Sequence, residues 1–107
     1  MFQLLENNKI KLTRGDTAYI EVELHSCYQI QKGDTYTFSC KKRVSDIEYA
    51  FKITWPAGEI LQISPSDTKH LEFGKYLYDI QLDTVDGEVF TLIGPAEIRI
   101  MEEITND

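Results

Sequence analysis

Between Ser64 and Leu82 the chain changes its period, and no other stretch constrains the fold as much. Ser64-Pro65-Ser66-Asp67 has the chemistry of a helix start. Serine can cap, proline suits the first helical position because its missing N–H costs nothing there, and a carboxylate sits near the positive end of the turn's dipole. Gly74 then breaks the turn, and a two-residue alternation begins. Tyr76, Tyr78, Ile80 and Leu82 fall on one face; Lys75, Leu77, Asp79, Gln81 and Asp83 fall on the other. The spacing predicts one helical turn over 64–71 and a central strand over 75–83. An apolar strand face needs a second layer to cover it, so the chain must build around this strand.

The rest of the sequence alternates in the same way. Residues 1–8 read as a short first strand, and Ile10 and Leu12 share a face in the next, over 9–13. Arg14-Gly15-Asp16 is a turn. It also spells an integrin-binding tripeptide, but a tripeptide is a weak signal and the turn reading prevails. Residues 17–24 place Ala18, Ile20, Val22 and Leu24 inward, with Tyr19, Glu21 and Glu23 outward. A loop over 25–34 follows, then a strand over 35–41 with Tyr36, Phe38 and Cys40 inward. After a loop at 44–48, Tyr49, Phe51, Ile53 and Trp55 share one face of a strand over 49–55. Pro56-Ala57-Gly58 turns the chain into a short strand over 60–63, expected to form a hairpin with its predecessor. Asp86-Gly87 lies between two apolar runs and signals a further hairpin. The returning strand is interrupted at Gly94-Pro95, where an edge, a bulge or a short break fits proline, and resumes with Ala96, Ile98 and Ile100. Residues 101–107 form an acidic tail.

Seven or eight short strands and no long helix predict an all-β, two-sheet sandwich, with residues 1–107 as one domain. A chain of 107 residues buries about 65% of its unfolded surface on folding, enough for one modest core. Leu71-x-x-Gly74-x-Tyr76 suits a tyrosine corner, in which the Tyr76 hydroxyl bonds back to upstream backbone and holds the crossover.

Charge and chemistry narrow the function. A net charge of −7 repels phosphate backbones, so nucleic acid is not an expected partner. The run Lys41-Lys42-Arg43 reads as a solvated strand end. The N-terminus has no signal-peptide pattern, and no apolar window reaches the length of a membrane span, so neither secretion nor a membrane is expected. Cys27 and Cys40 are expected as reduced thiols in a cytoplasmic setting, with Cys40 on the apolar phase of its strand; a disulfide between them would need an oxidising compartment. No nucleophile elbow is present, and His25 and His70 both sit in turn-like sequence. Asp79 and Asp83 form an acidic stripe, best read as a solvated face pairing with basic neighbours. Asp83, Asp86 and Glu88 surround a turn without calcium-loop spacing. The expectation is therefore a protein with no catalytic, cofactor-binding or metal-binding residues. Exposed-phase Tyr19 and Leu77 are larger than a solvated face needs, and would suit an interface or, for Leu77, packing. A small carbohydrate-binding sandwich is the alternative, although the phase of Trp55 points to the core.

With these motifs in place, the chain resembles the immunoglobulin-like domains of tail and baseplate proteins from phages and prophages of Gram-positive bacteria. It is similar to the N-terminal domain of baseplate upper proteins. The residues that carry the resemblance are Thr13-Arg14-Gly15-Asp16-Thr17, Gly33-Asp34 before Tyr36-Thr37-Phe38, and above all Ser64-Pro65-Ser66-Asp67-Thr68 with Leu71, Gly74-Lys75-Tyr76 and Tyr78-Asp79-Ile80-Gln81-Leu82; Asp86-Gly87 with Val89, Thr91 and Leu92 completes the set. The resemblance implies an immunoglobulin-like antiparallel β-sandwich and a non-enzymatic virion structural role. The implied partners are other tail or baseplate proteins or further copies of the chain, in the virion or in the host cytoplasm during assembly. Longer members carry a stalk and a receptor-binding head, whereas this sequence ends soon after Ile100. A stand-alone adaptor or a prophage remnant is thus expected.

Overall fold

The computed structural model describes residues 2–4, 8–24 and 28–103. Among them the chain forms β1 (Phe2–Leu4), β2 (Ile10–Thr13), β3 (Ala18–Ile20), β4 (Thr35–Lys41), β5 (Phe51–Pro56), β6 (Leu61–Ile63), α1 (Pro65–Thr68), β7 (Gly74–Asp83) and β8 (Val89–Met101). The protein is all-β apart from the single turn α1. Six strands form a mixed sheet in the order β1-β2-β8-β7-β4-β5, and β3 and β6 form a small second sheet.

The central strand is where the alternation puts it. Along β7, Tyr76, Tyr78, Ile80 and Leu82 are buried, and the residues between them are half-buried. They meet Ile10 and Leu12 of β2, Tyr36, Phe38 and Cys40 of β4, and Ile98 and Ile100 of β8 in one core. Ala18 and Ile20 of β3 and Leu61 and Ile63 of β6 close that core from the small sheet. Phe38 stacks on Tyr78 with ring centroids 5.0 Å apart and planes 10° from parallel. Burying a side chain of this size contributes about 1.5–3 kcal/mol.

The crossover from the small sheet to the large one is pinned at both ends. The Asp67 carboxylate accepts the Ser64 N–H at 2.7 Å, which fixes the start of α1. The turn is shorter than the predicted 64–71, with Lys69 N–H to Pro65 and Leu71 N–H to Thr68 closing it. The Tyr76 hydroxyl donates to the Glu72 carbonyl at 3.0 Å, the bond expected of the tyrosine corner. Tyr78 does likewise across the molecule, donating to the carbonyl of Asn8, which adopts φ +63°.

Four expectations need correction. The sheet is not purely antiparallel, because β2 runs parallel to β8. Their inward phases match, Ile10 beside Ile98 and Leu12 beside Ile100, and the whole intervening chain supplies the crossover a parallel pair requires. The hairpin between β5 and β6 does not form: β6 pairs antiparallel with β3. That pairing sets Leu61 and Ile63 in the second layer, opposite the large sheet, and leaves β5 as a sheet edge. The strand over 17–24 keeps its phase throughout, but its ladder covers only Ala18–Ile20, because β6 offers three residues. Tyr49 lies outside β5 and is 47% exposed.

Gly94-Pro95 does not end its strand. The β7–β8 register slips between Tyr78 opposite Ala96 and Ile80 opposite Ile93, and again before Gln81 opposite Thr91. Pro95 is accommodated in this bulged part, where β2 no longer flanks β8 and a missing N–H breaks no ladder on that side.

Candidate functional site

Three places gather the chemistry singled out in the sequence. The first is the Arg14-Gly15-Asp16 turn. Arg14 donates to the Glu103 carboxylate at 3.0 and 3.3 Å and to the Leu71 carbonyl at 3.1 Å, with its guanidinium over the Phe73 ring at 4.3 Å. Lys69 reaches the same carboxylate at 3.4 Å. These cations hold the Glu103 carboxyl below its usual range, Arg14 contributing most through its hydrogen bonds. The Gly15 N–H donates to Oγ1 of fully buried Thr68 at 2.9 Å. The tripeptide is thus a structural clamp joining β2, α1 and the tail.

The second place is the outer face of the large sheet. The register sets Lys52, Ser39 and Asp79 side by side across β5, β4 and β7, with Thr54, Thr37 and Gln81 in the next row. Together with Lys41, Tyr49 and Leu77, all of these but Thr54 line a groove of about 310 Å³. Burial raises the Asp79 carboxyl, and Lys41 and Lys52 partly offset the rise. The acidic stripe therefore faces basic neighbours, and Thr37 Oγ1 donates to Asp83 at 3.3 Å. The Tyr49 ring already carries the ammonium groups of Lys41 and Lys52, each 4.8 Å from its centroid. Among the described residues the other exposed aromatics, Tyr19, Phe73 and Phe90, stand on β3, before β7 and on β8, so no row of rings forms there. Trp55 is 8% exposed and its indole N–H donates to the Glu59 carbonyl at 2.9 Å, which makes it a core residue.

The third place is the β7–β8 hairpin and the loop before β4. Asp34 is 2% exposed, and its carboxylate accepts from the Tyr28 hydroxyl at 2.6 Å, the Gln31 N–H at 2.8 Å and the Val85 N–H at 2.9 Å. The Tyr28 hydrogen bond is the chief cause holding the Asp34 carboxyl low, and it pushes the Tyr28 phenol up to about 12. Gly33, at φ +96°, lies so close that a Cβ there would stand 2.6 Å from Val85 Cγ1. The two loops are thereby locked together. On top of this knot Val85, Val89 and Phe90 remain exposed, as do Val44, Ile47 and Tyr49 in the β4–β5 loop.

Sequence reasoning missed those exposed apolar residues as a set. It placed Tyr49 inward by extending the β5 period two residues too far. Ile47, 92% exposed, was legible as an apolar residue between Asp46 and Glu48 in a turn. The remaining candidates stay apart. His70 is exposed beyond α1, while His25 and Cys27 lie outside the described residues. Cys40 is a fully buried free thiol, pushed up to about 12 by burial. Among the described residues no three carboxylate, histidine or cysteine side chains come together as a metal site, Asp83, Asp86 and Glu88 included. No helix among them is long and apolar enough to cross a membrane. Compared with family models, with curated proteins and with solved structures, the chain matches none.

Proposed function

We propose that the chain is a non-enzymatic assembly domain of a phage or prophage tail or baseplate, acting through protein–protein contacts. The observation that carries this reading is the placement of the exposed apolar side chains. Val44, Ile47 and Tyr49 stand in one chain reversal, and Val85, Val89 and Phe90 in another. Large apolar groups held in solvent on ordered loops mark interaction surfaces. Its setting is the virion, or the host cytoplasm during assembly.

The fold is read as an immunoglobulin-like sandwich. In support, β2, β8, β7, β4 and β5 follow one another in the large sheet while β3 and β6 pair in the other, and the corner tyrosine opens β7. In antibody domains the corner tyrosine precedes a disulfide cysteine by two residues. Here Tyr78 holds that place and stacks on Phe38.

The groove over Ser39, Asp79 and Tyr49 favours a second reading, a carbohydrate-binding module. Against it, Tyr78 at the groove is buried in the core, and the exposed ring there, Tyr49, is already in contact with two lysines. Sequencing the DNA that flanks the gene separates the two. Tail, baseplate, tape-measure or lysis genes on either side are expected. Genes for carbohydrate uptake or metabolism there would overturn the assembly reading and make sugar titration the next step.

A further inference from the structure

We infer that one partner of this chain is a second copy of itself, bound head to tail, with the β4–β5 loop of one copy on the β7–β8 hairpin of the next. The two reversals lie at opposite ends of the large sheet. At one end Thr35 pairs with Asp83 and Asp83 with Val89; at the other Cys40 pairs with Phe51 and Lys41 with Leu77. The seven residues of β4 separate the two ends by about 20 Å.

Both ends are apolar, and their charges are opposite. The hairpin end exposes Val85, Val89 and Phe90 among Asp86, Glu88 and Glu59, with Lys32 as its exposed cation. The loop end exposes Val44, Ile47 and Tyr49 among Lys42, Arg43, Lys52 and Lys75, with Glu48 and Glu72 as exposed anions, so its cations outnumber its anions. Asp46 at that end is half-buried, and its carboxylate accepts the Arg43 N–H at 3.1 Å. An isologous contact between two hairpin ends would set like charges face to face. A contact between unlike ends pairs acid with base and apolar with apolar. Such a contact uses two different surfaces and repeats from copy to copy, giving a ring where the rotation closes and a filament where it does not. The hairpin end is also prepared for docking, because the Asp34 knot holds it in one shape before any partner arrives.

This inference rests on the assembly reading for its setting and adds to it the identity of a partner. The test needs no virion component, so the two can fail separately. Purified chain is followed by sedimentation velocity from the micromolar into the hundred-micromolar range. One variant carries Lys42→Glu and Arg43→Glu, the other Asp86→Lys and Glu88→Lys; all four positions are exposed, and far-UV circular dichroism checks that each variant folds. The wild type is expected to associate with rising concentration. Each variant alone should remain monomeric, and an equimolar mixture should associate again, because each variant supplies the end the other lacks. A wild type that stays monomeric over the range would overturn the inference, and so would variants that associate as the wild type does. Association of the wild type that the mixture fails to restore would overturn it as well.

Discussion

The Asp34 carboxylate accepts the Val85 backbone N–H at 2.9 Å and so ties the loop before β4 to the β7–β8 hairpin, 51 residues away in sequence. The same carboxylate also takes the Tyr28 hydroxyl and the Gln31 N–H. One buried acid thus holds three donors at once.

These bonds favour the ionised form and hold the folded-state pKa of Asp34 below the ordinary carboxylate range. The stability they add is fully present above the ordinary carboxylate range and is lost as pH falls through the lowered folded value. Asp34→Asn should lower Tm at pH 7 and flatten the fall of Tm on the acid side, below about pH 4. Thermal melts of both proteins between neutral and acid pH check this. Parallel curves would show that Asp34 does not carry the knot.

Gly33→Ala should strike the same junction by another route. The new methyl would meet Val85 Cγ1 at 2.6 Å, on a residue whose φ is +96°. Strain of this kind costs about 1–3 kcal/mol. A double-mutant cycle with Val85→Ala should recover the part due to contact and leave the backbone part. Urea denaturation of the four proteins measures both.

Tyr76→Phe removes one hydroxyl and its bond to the Glu72 carbonyl while keeping the buried ring. The expected loss is about 1 kcal/mol, seen as a lower urea midpoint at unchanged slope. No loss would mean that the corner does not hold the crossover.

Cys40 should resist alkylation in the folded protein. It is fully buried, and burial pushes its thiol up to about 12, so little thiolate is present at neutral pH. Peptide mapping after iodoacetamide treatment should find Cys40 modified only when denaturant is present. Rapid native labelling at this residue would place it at the surface.

How much of this was legible depended on what each residue type is asked to do. Period carried β4 and β7, because one face of each is buried and a slip of one residue would invert it. Local chemistry carried α1, the Asp86-Gly87 hairpin and the Tyr76 corner, whose partners lie within a few residues. Partner choice was not legible. Leu61 and Ile63 read the same whether β6 pairs with β5 or crosses to β3, and only the packing of two layers decides it. Likewise Asp34 read only as the last residue of the loop over 25–34, since its partner Val85 is remote in sequence. The exposed apolar ends were hidden for a related reason, because a strand pattern gives no sign of where its ladder stops.

The most direct test of the assembly account is mass spectrometry of tail-bearing particles purified from a phage stock or an induced culture that encodes this chain. The account predicts peptides of this chain in a fixed ratio to the tail and baseplate proteins, retained through gradient purification. Particles with complete tails that lack the chain would contradict it.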